Sequence, residues 1–527
     1  MTGSLAGSVI RYGLALGLAL AGFFQVIGFE FAYDDSWTIV DNGFIRDPGN
    51  ILEFFQGRYF QTVPDANRPV MIVSMMLDYQ VWRLAPGGYH LHSLILHGVC
   101  VILVLRLCDE LFADRALSLL AACLFAVHPL HIEPVAAVNY REDLLATMFV
   151  LLCLLAGRRA AAGRARWYVV SALCAALAVL SKESALAVVA LAVVTDLLAA
   201  PGLAAPSRRR VAWYLVLVAV LVAAYGPVHL GFGGDHASVD AEPAPLVDRL
   251  TTAPRLVVTY AVQTAVPWAQ SPEYDTRLTG WSDWRNAAAA LALAAAIAAL
   301  VWLVRQRRGG AAPWGAAWFA VALLPALNLV PIYNLRADRY LYLPLVGACV
   351  AVAWLLVRAA RTRRRGAGIL APVVVTGLLL VTIVRVGMWR DGATLWAHAI
   401  EQAPGSQRAW EGYATAQATG DQPGRAIAVA AEGLGRFPGS HKLLMARGIA
   451  RAETGDPDAA LRDFHAALAL TDGRGRARVL HNIAMVHIDR GALTAAESYL
   501  REASQLVPDS PIYARHLREV IERRESR

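Results

Sequence analysis

Charge is scarce in this chain. Of 527 residues only 17% are Asp, Glu, Lys or Arg, against 57% hydrophobic, whereas soluble globular chains run near one-quarter charged. Cysteine is scarcer still. The six cysteines, Cys100, Cys108, Cys123, Cys153, Cys174 and Cys349, lie in or beside apolar segments, and none shows C-x-x-C spacing. That excludes a zinc ribbon or a disulfide framework and leaves them as packing residues. The net charge of +8 has no basic stripe interleaved with aromatics, so a nucleic-acid surface is excluded as well. Instead, arginines cluster at the ends of apolar runs: Arg158, Arg159, Arg164 and Arg166; Arg208 to Arg210; Arg305, Arg307 and Arg308; Arg361 and Arg363 to Arg365.

Apolar runs of membrane-spanning length recur up to about residue 387, and the remaining residues are polar and free of such runs. A span needs about 20 apolar residues. On that measure about eleven spans are expected, near 7–30, 89–108, 115–129, 141–157, 167–181, 183–199, 211–230, 287–304, 313–331, 340–358 and 368–387. The apolar run over 5–29 is too long for a signal-peptide core and reads as an uncleaved first span. Placing the arginine clusters in the cytoplasm puts the N-terminus inside and the C-terminal region outside. Residues 255–270 fit this topology only as an interfacial or re-entrant helix on the outer face.

The same topology collects unusual polar residues on the outer side: Asp34 and Asp35, His128, His131 and Glu133, Arg141 and Asp143, Lys182 and Glu183, and Arg336, Asp338 and Arg339. Ionisable groups at span ends are costly unless they face a cavity or a partner, so their convergence marks a candidate site. Adjacent carboxylates in a partly desolvated place repel. One should hold its proton while the other stays ionised and can accept a proton from a hydroxyl. The alternative is that the pair only caps the next helix. His128 and His131 can equally be interface residues, Arg141 and Asp143 a helix-end ion pair, and Arg339 can pair with Asp338 or snorkel to headgroups. The histidine spacing lacks a further ligand set, so no metal is expected.

Beyond residue 388 three segments align at a period of about 34 residues, over 407–440, 441–474 and 477–510, led in by a half-repeat at 389–404. Small residues recur at Gly420, Ala426, Gly448, Ala460, Ala484 and Ala496, with aromatics at Trp410, Tyr413 and Phe464, and turns at Pro404-Gly-Ser, Pro438-Gly-Ser and Pro508-Asp-Ser. The pattern resembles tetratricopeptide (TPR) repeats, which stack into an α-solenoid that binds extended partners. The expected fold is therefore all-α, with a polytopic membrane domain over 1–388, whose first outer loop spans about 32–88, and a TPR solenoid over 389–527.

The runs FAYDDSWTIVDNGFIRDP, NRPVMIVSMMLDY, GYHLHSLILHG, LFAVHPLHIEPVAAVNYREDLLA, LSKES and ADRYLYLPLVG follow in order. Together they resemble the transmembrane and tetratricopeptide-repeat-containing (TMTC) protein O-mannosyltransferases, C-type (GT-C) multi-spanning glycosyltransferases. The repeat array is shorter than is usual in the animal members. The resemblance implies transfer of a sugar, with mannose expected, from a polyprenyl- or dolichyl-phosphate carrier to a protein Ser/Thr hydroxyl outside the cytoplasm, with inversion. It assigns Asp34 and Asp35 to the base position, with Asp34 favoured. It assigns His128, His131 and Glu133 to the donor pocket. Arg141, Lys182, Arg336 and Arg339 would then lie near the lipid phosphate. No cofactor is implied beyond the lipid-linked sugar. The implied partners are that donor, membrane lipid and a protein acceptor held by the repeats, and no nucleic acid. Two rivals remain: a catalytically silent scaffold whose repeats recruit a partner, and a GT-C enzyme with a lipid or glycan acceptor.

Overall fold

The structure is a computed structural model describing residues 2–55, 68–199, 208–229, 245–305, 310–332, 334–362, 367–420, 422–508 and 510–526. Arg307, Arg308 and Arg363 to Arg365, used above to set topology, lie outside the described residues, as does Asp509. Among the described residues every regular element is helical. The chain divides into two compact units, Met1–Gln270 with Thr276–Arg390, and Ser271–Asp275 with Asp391–Arg527.

The first unit contains α1 (Thr2–Phe23), α2 (Pro69–Trp82), α3 (Pro86–Phe112), α4 (Arg115–Ala126), α5 (Ile132–Ala136), α6 (Arg141–Ala161), α7 (Trp167–Ser181), α8 (Val188–Leu198), α9 (Arg208–His229), α10 (Leu246–Ala265), α11 (Trp284–Arg305), α12 (Ala311–Leu323), α13 (Pro344–Arg361) and α14 (Ala367–Arg385). Among the described residues seven helical stretches are long and apolar enough to cross a membrane, or eight if the bent pair Arg115–Ala126 and Pro129–Ala136 is one span. The expected spans over 167–181, 183–199 and 313–331 are instead shorter helices. Each is cut where polar or helix-breaking residues enter, at Lys182 in one place and at Pro325 and Asn328 in another. Short helices can sit at membrane depth when neighbouring protein covers their ends. Trp314 and Trp318 on α12 are fully buried, and their indole N–H groups donate to Thr195 Oγ1 and the Leu343 carbonyl at 3.2 and 3.0 Å. Residues 246–265, which include most of the segment read as interfacial, form an amphipathic helix outside the set of candidate spans. It buries Leu256, Tyr260 and Gln263 and exposes Leu250 and Val262.

The second unit is a series of helices, α15 (Gly392–Gln402), α16 (Gln407–Ala418), α17 (Pro423–Arg436), α18 (His441–Glu453), α19 (Pro457–Leu468), α20 (Gly473–Asp489), α21 (Leu493–Leu506) and α22 (Pro511–Glu525), each packed on the next. The recurrent turns have a simple physical purpose. Ser406, Ser440 and Ser510 are N-caps whose hydroxyls accept from the amides of Ala409, Leu443 and Tyr513, satisfying donors that a helix start leaves open. Small residues allow close crossings. A Cβ at Gly412 would lie 2.2 Å from the Trp396 ring, and one at Gly448 2.5 Å from Phe464. Ala426, Ala460 and Ala496 are fully buried at corresponding places.

Candidate active site

The loop that follows α1 opens with a turn. Tyr33 adopts φ +58°, a left-handed conformation that costs a bulky residue of order 1 kcal/mol or more and is held only by its surroundings. Here the Tyr33 ring packs 5.7 Å from Tyr140 and 6.0 Å from Trp389. The turn sends the next two carboxylates to different places. Asp35 is fully buried and accepts from the backbone amides of Asn139 at 2.7 Å and Ala32 at 3.2 Å. Burial pushes its carboxyl up to about 7, against the lowering effect of those two amides and with a further rise from the Asp34 charge. Asp34 is less enclosed. It accepts from Trp37 Nε1 and from the Tyr140 hydroxyl, both at 3.3 Å.

Tyr140 connects Asp34 to the cations. The Arg339 guanidinium lies 3.9 Å from the centre of its ring and 5.0 Å from that of Tyr340, an attractive geometry for a desolvated cation. Arg339 also pairs with Glu133, and its backbone amide donates to the second Glu133 oxygen at 2.8 Å. Lys182, 5.5 Å from the Tyr340 ring, contacts Asp143 at 2.6 Å and Glu142 at 3.1 Å. Arg68 pairs with Glu142 and donates through Nε and Nη2 to Glu183 at 3.2 and 2.8 Å. Beside Arg339, Gln263 of α10 accepts from Arg336 at 3.0 Å and donates to Asp338. One continuous polar network therefore runs from Asp34 through Tyr140, Arg339 and Tyr340 to Lys182 and Arg68. It joins six segments far apart in sequence.

Three of the candidate residues sit elsewhere. Arg141 is fully buried in a closed knot. Its Nε donates to Ser93, Nη1 to Ser74 and Nη2 to the Tyr89 carbonyl, and Asp78 balances its charge at 2.6 Å. With its donors so engaged, the guanidinium braces α2, α3 and α6 together and does not face a lipid phosphate. His128 caps the turn that follows α4: its Nδ1 accepts from the Leu130 amide and its Nε2–H donates to the Thr264 carbonyl, both at 3.3 Å. His131 is buried among Phe125, Tyr342 and His97, with ring centres 4.3, 4.5 and 5.3 Å away. Sequence reasoning missed Arg68, Tyr140 and Gln263 as members of the site. Arg68 and Tyr140 stand in motif runs quoted above, but nothing in the sequence reveals their partners.

Residues 88–227 match the family model for dolichyl-phosphate-mannose-protein mannosyltransferases. The chain is similar to protein O-mannosyl-transferase TMTC3 of Homo sapiens, 30% identical over 203 residues that cover 37% of this chain and 22% of that one. It is similar to protein O-mannosyl-transferase F38B6.6 of Caenorhabditis elegans, 23% identical over 412 residues covering 74% and 57%. A third relative, TMTC2 of Mus musculus, is 31% identical over 194 residues covering 34% and 23%. The chain is TMTC-like. With its apolar helices, this TMTC-like chain is an integral multi-pass membrane protein. It spans about a fifth of the length of the mammalian relatives it matches (22% and 23% in these two). Among solved structures, ArnT from Cupriavidus metallidurans bound to undecaprenyl phosphate aligns over 95% of this chain and 80% of that one, at a TM-score of 0.39 and 14% identity, a similarity too distant to bear on residues or ligands.

Proposed function

We propose that the chain is a glycosyltransferase that moves mannose from a polyprenyl-phosphate carrier to a protein Ser/Thr hydroxyl on the non-cytoplasmic side, with inversion. One observation carries this reading: a partly accessible carboxylate, Asp34, shares a hydrogen-bonded network with a set of buried cations. A scaffold has no use for that arrangement, whereas a displacement at a phosphorylated sugar needs both halves of it.

Asp34 accepts the proton as the acceptor oxygen attacks the anomeric carbon. The bond from that carbon to the phosphate oxygen breaks on the opposite face, which inverts the configuration and releases polyprenyl phosphate. Lys182, Arg336 and Arg339 stabilise the charge that develops on the leaving phosphate. Glu133 aims Arg339, Asp35 fixes the loop that presents Asp34, and Arg141, His128 and His131 hold the surrounding helices. No metal enters this scheme. The helix series of the second unit, read as TPR repeats outside the cytoplasm, would hold an extended protein acceptor. The test is mass spectrometry of extracytoplasmic proteins from cells with and without the chain. Loss of hexose from Ser/Thr peptides on deletion is the expected result, and an unchanged hexose inventory refutes the proposal.

A further inference from the structure

Among the described residues, the carboxylates paired with Arg68, Lys182 and Arg339 outnumber those three cations. Around Arg68, Lys182 and Arg339 stand Glu133, Glu142, Asp143 and Glu183. A lipid-linked phosphate entering this set adds one more negative charge, and the desolvated surroundings make an uncompensated anion costly. One carboxylate must therefore give way. The geometry singles out which. The Glu142, Asp143 and Glu133 side chains are 1%, 8% and 3% exposed, whereas that of Glu183 is 37% exposed. Glu142 is shared between Arg68 and Lys182, and Glu133 is held by both the side chain and the backbone of Arg339. Glu183 alone of the four can swing away from its cation without crossing a packed interior.

Its contact with Arg68 also has the right shape. The guanidinium presents Nε and Nη2 to the two oxygens of Glu183, the parallel fork by which arginine grips either a carboxylate or a phosphate. Arg68 stands at the start of α2 with its side chain 14% exposed, so an arriving anion reaches it where Glu183 now sits.

We infer that Glu183 occupies the phosphate seat of Arg68 as a built-in competitor, displaced when the donor's lipid phosphate binds and returning to expel the polyprenyl phosphate product. This rests on the lipid-phosphate donor proposed above but not on the sugar or the acceptor. Glu183 thus sets the apparent affinity of the seat, because a ligand that must displace an internal anion binds only the fraction of molecules in which that anion has moved away.

The test measures binding of citronellyl phosphate, a ten-carbon isoprenoid monophosphate, to the full chain by calorimetry. Glu183→Gln and Glu183→Ala should each tighten binding by about tenfold, and Arg68→Gln should weaken it by about tenfold or more. A merely structural ion pair predicts the opposite sign for the Glu183 variants, so unchanged or weaker binding in them overturns the inference. Dioctanoyl phosphatidic acid competing as well as the isoprenoid would overturn it too, by making the seat one for bilayer phosphates. On the unaltered chain, a water-soluble carbodiimide should label Glu183 faster once citronellyl phosphate is bound, and slower labelling refutes displacement. Because none of these readouts involves transfer, absent mannose transfer with these results intact would fault the proposed function alone.

Discussion

Asp34→Asn separates a chemical role from a structural one. Asp34 accepts from Trp37 Nε1 and from the Tyr140 hydroxyl, both at 3.3 Å. An asparagine can keep both, since its carbonyl accepts from the indole and its amide donates to the hydroxyl, which turns to accept. Loss of folding stability should then stay within about 1 kcal/mol. Loss of a general base costs about 10²- to 10⁴-fold in rate, roughly 2.7 to 5.5 kcal/mol of barrier. Tyr140→Phe provides the contrast. It removes one long hydrogen bond to Asp34 but keeps the ring under Arg339, so a loss of about threefold to tenfold is expected. The assay is transfer from radiolabelled polyprenyl-phosphate mannose to an acceptor peptide, with melting temperature and donor binding followed alongside. If Asp34→Asn turns over at the wild-type rate while folded and able to bind donor, Asp34 is not the base and the catalytic reading of the loop is lost.

Asp35 makes a distinct pH prediction: its carboxyl holds a proton in the folded chain up to about 7 and loses it near 3.8 when exposed, so stability should fall as pH rises between those values, with the penalty complete above the higher one. Thermal melts across that window should show a flatter slope in Asp35→Asn, and an unchanged slope would sink the assignment. Glu133→Gln leaves the 7%-exposed Arg339 side chain without its counter-charge and should cost about 3–5 kcal/mol, with partial recovery when Arg339→Leu is added; equal melting of single and double variants counts against the pair. Gly448→Ala puts a methyl 2.5 Å from Phe464 and should destabilise the second unit by about 1–3 kcal/mol, seen as faster cleavage of its helices in limited proteolysis of the full chain.

Part of this site is legible in sequence, because a charge at the end of an apolar run has few bland explanations. Asp34, Glu133, Lys182, Arg336 and Arg339 all stand out in that way. Their pairing is not legible, and α6 shows why. Arg141, Glu142 and Asp143 are consecutive, yet on a helix successive side chains diverge by about 100°. Arg141 consequently turns toward Ser93 and Asp78, while Glu142 and Asp143 turn toward Lys182. A linear reading gives Arg141 and Asp143 the same site. Arg68 is hidden for a different reason. An arginine before proline in a polar loop looks like ordinary surface, and only the folded positions of Glu142 and Glu183 make it a site residue. The shorter apolar helices resist a span count on the same physical ground, because apolar composition reports burial but not whether lipid or protein provides it.

The network also explains how the proposed base and the proposed phosphate seat, built from remote segments, can stay in register. Tyr140 is the shared element: its hydroxyl reaches Asp34 and its ring carries Arg339. The segment before it is pinned to the first loop by the amide of Asn139 on Asp35, and the segment after it is pinned to α2 and α3 by the Arg141 knot. Glu133 then fixes Arg339 through two contacts, one from the side chain and one from the backbone. Each functional group is thus held by a neighbour that does not itself meet substrate, which is how a catalytic constellation keeps its geometry. The exception is Glu183, half-buried and bound to Arg68. Of the four carboxylates paired with Arg68, Lys182 and Arg339 it is the most accessible, and there binding of one anion can be traded for release of another.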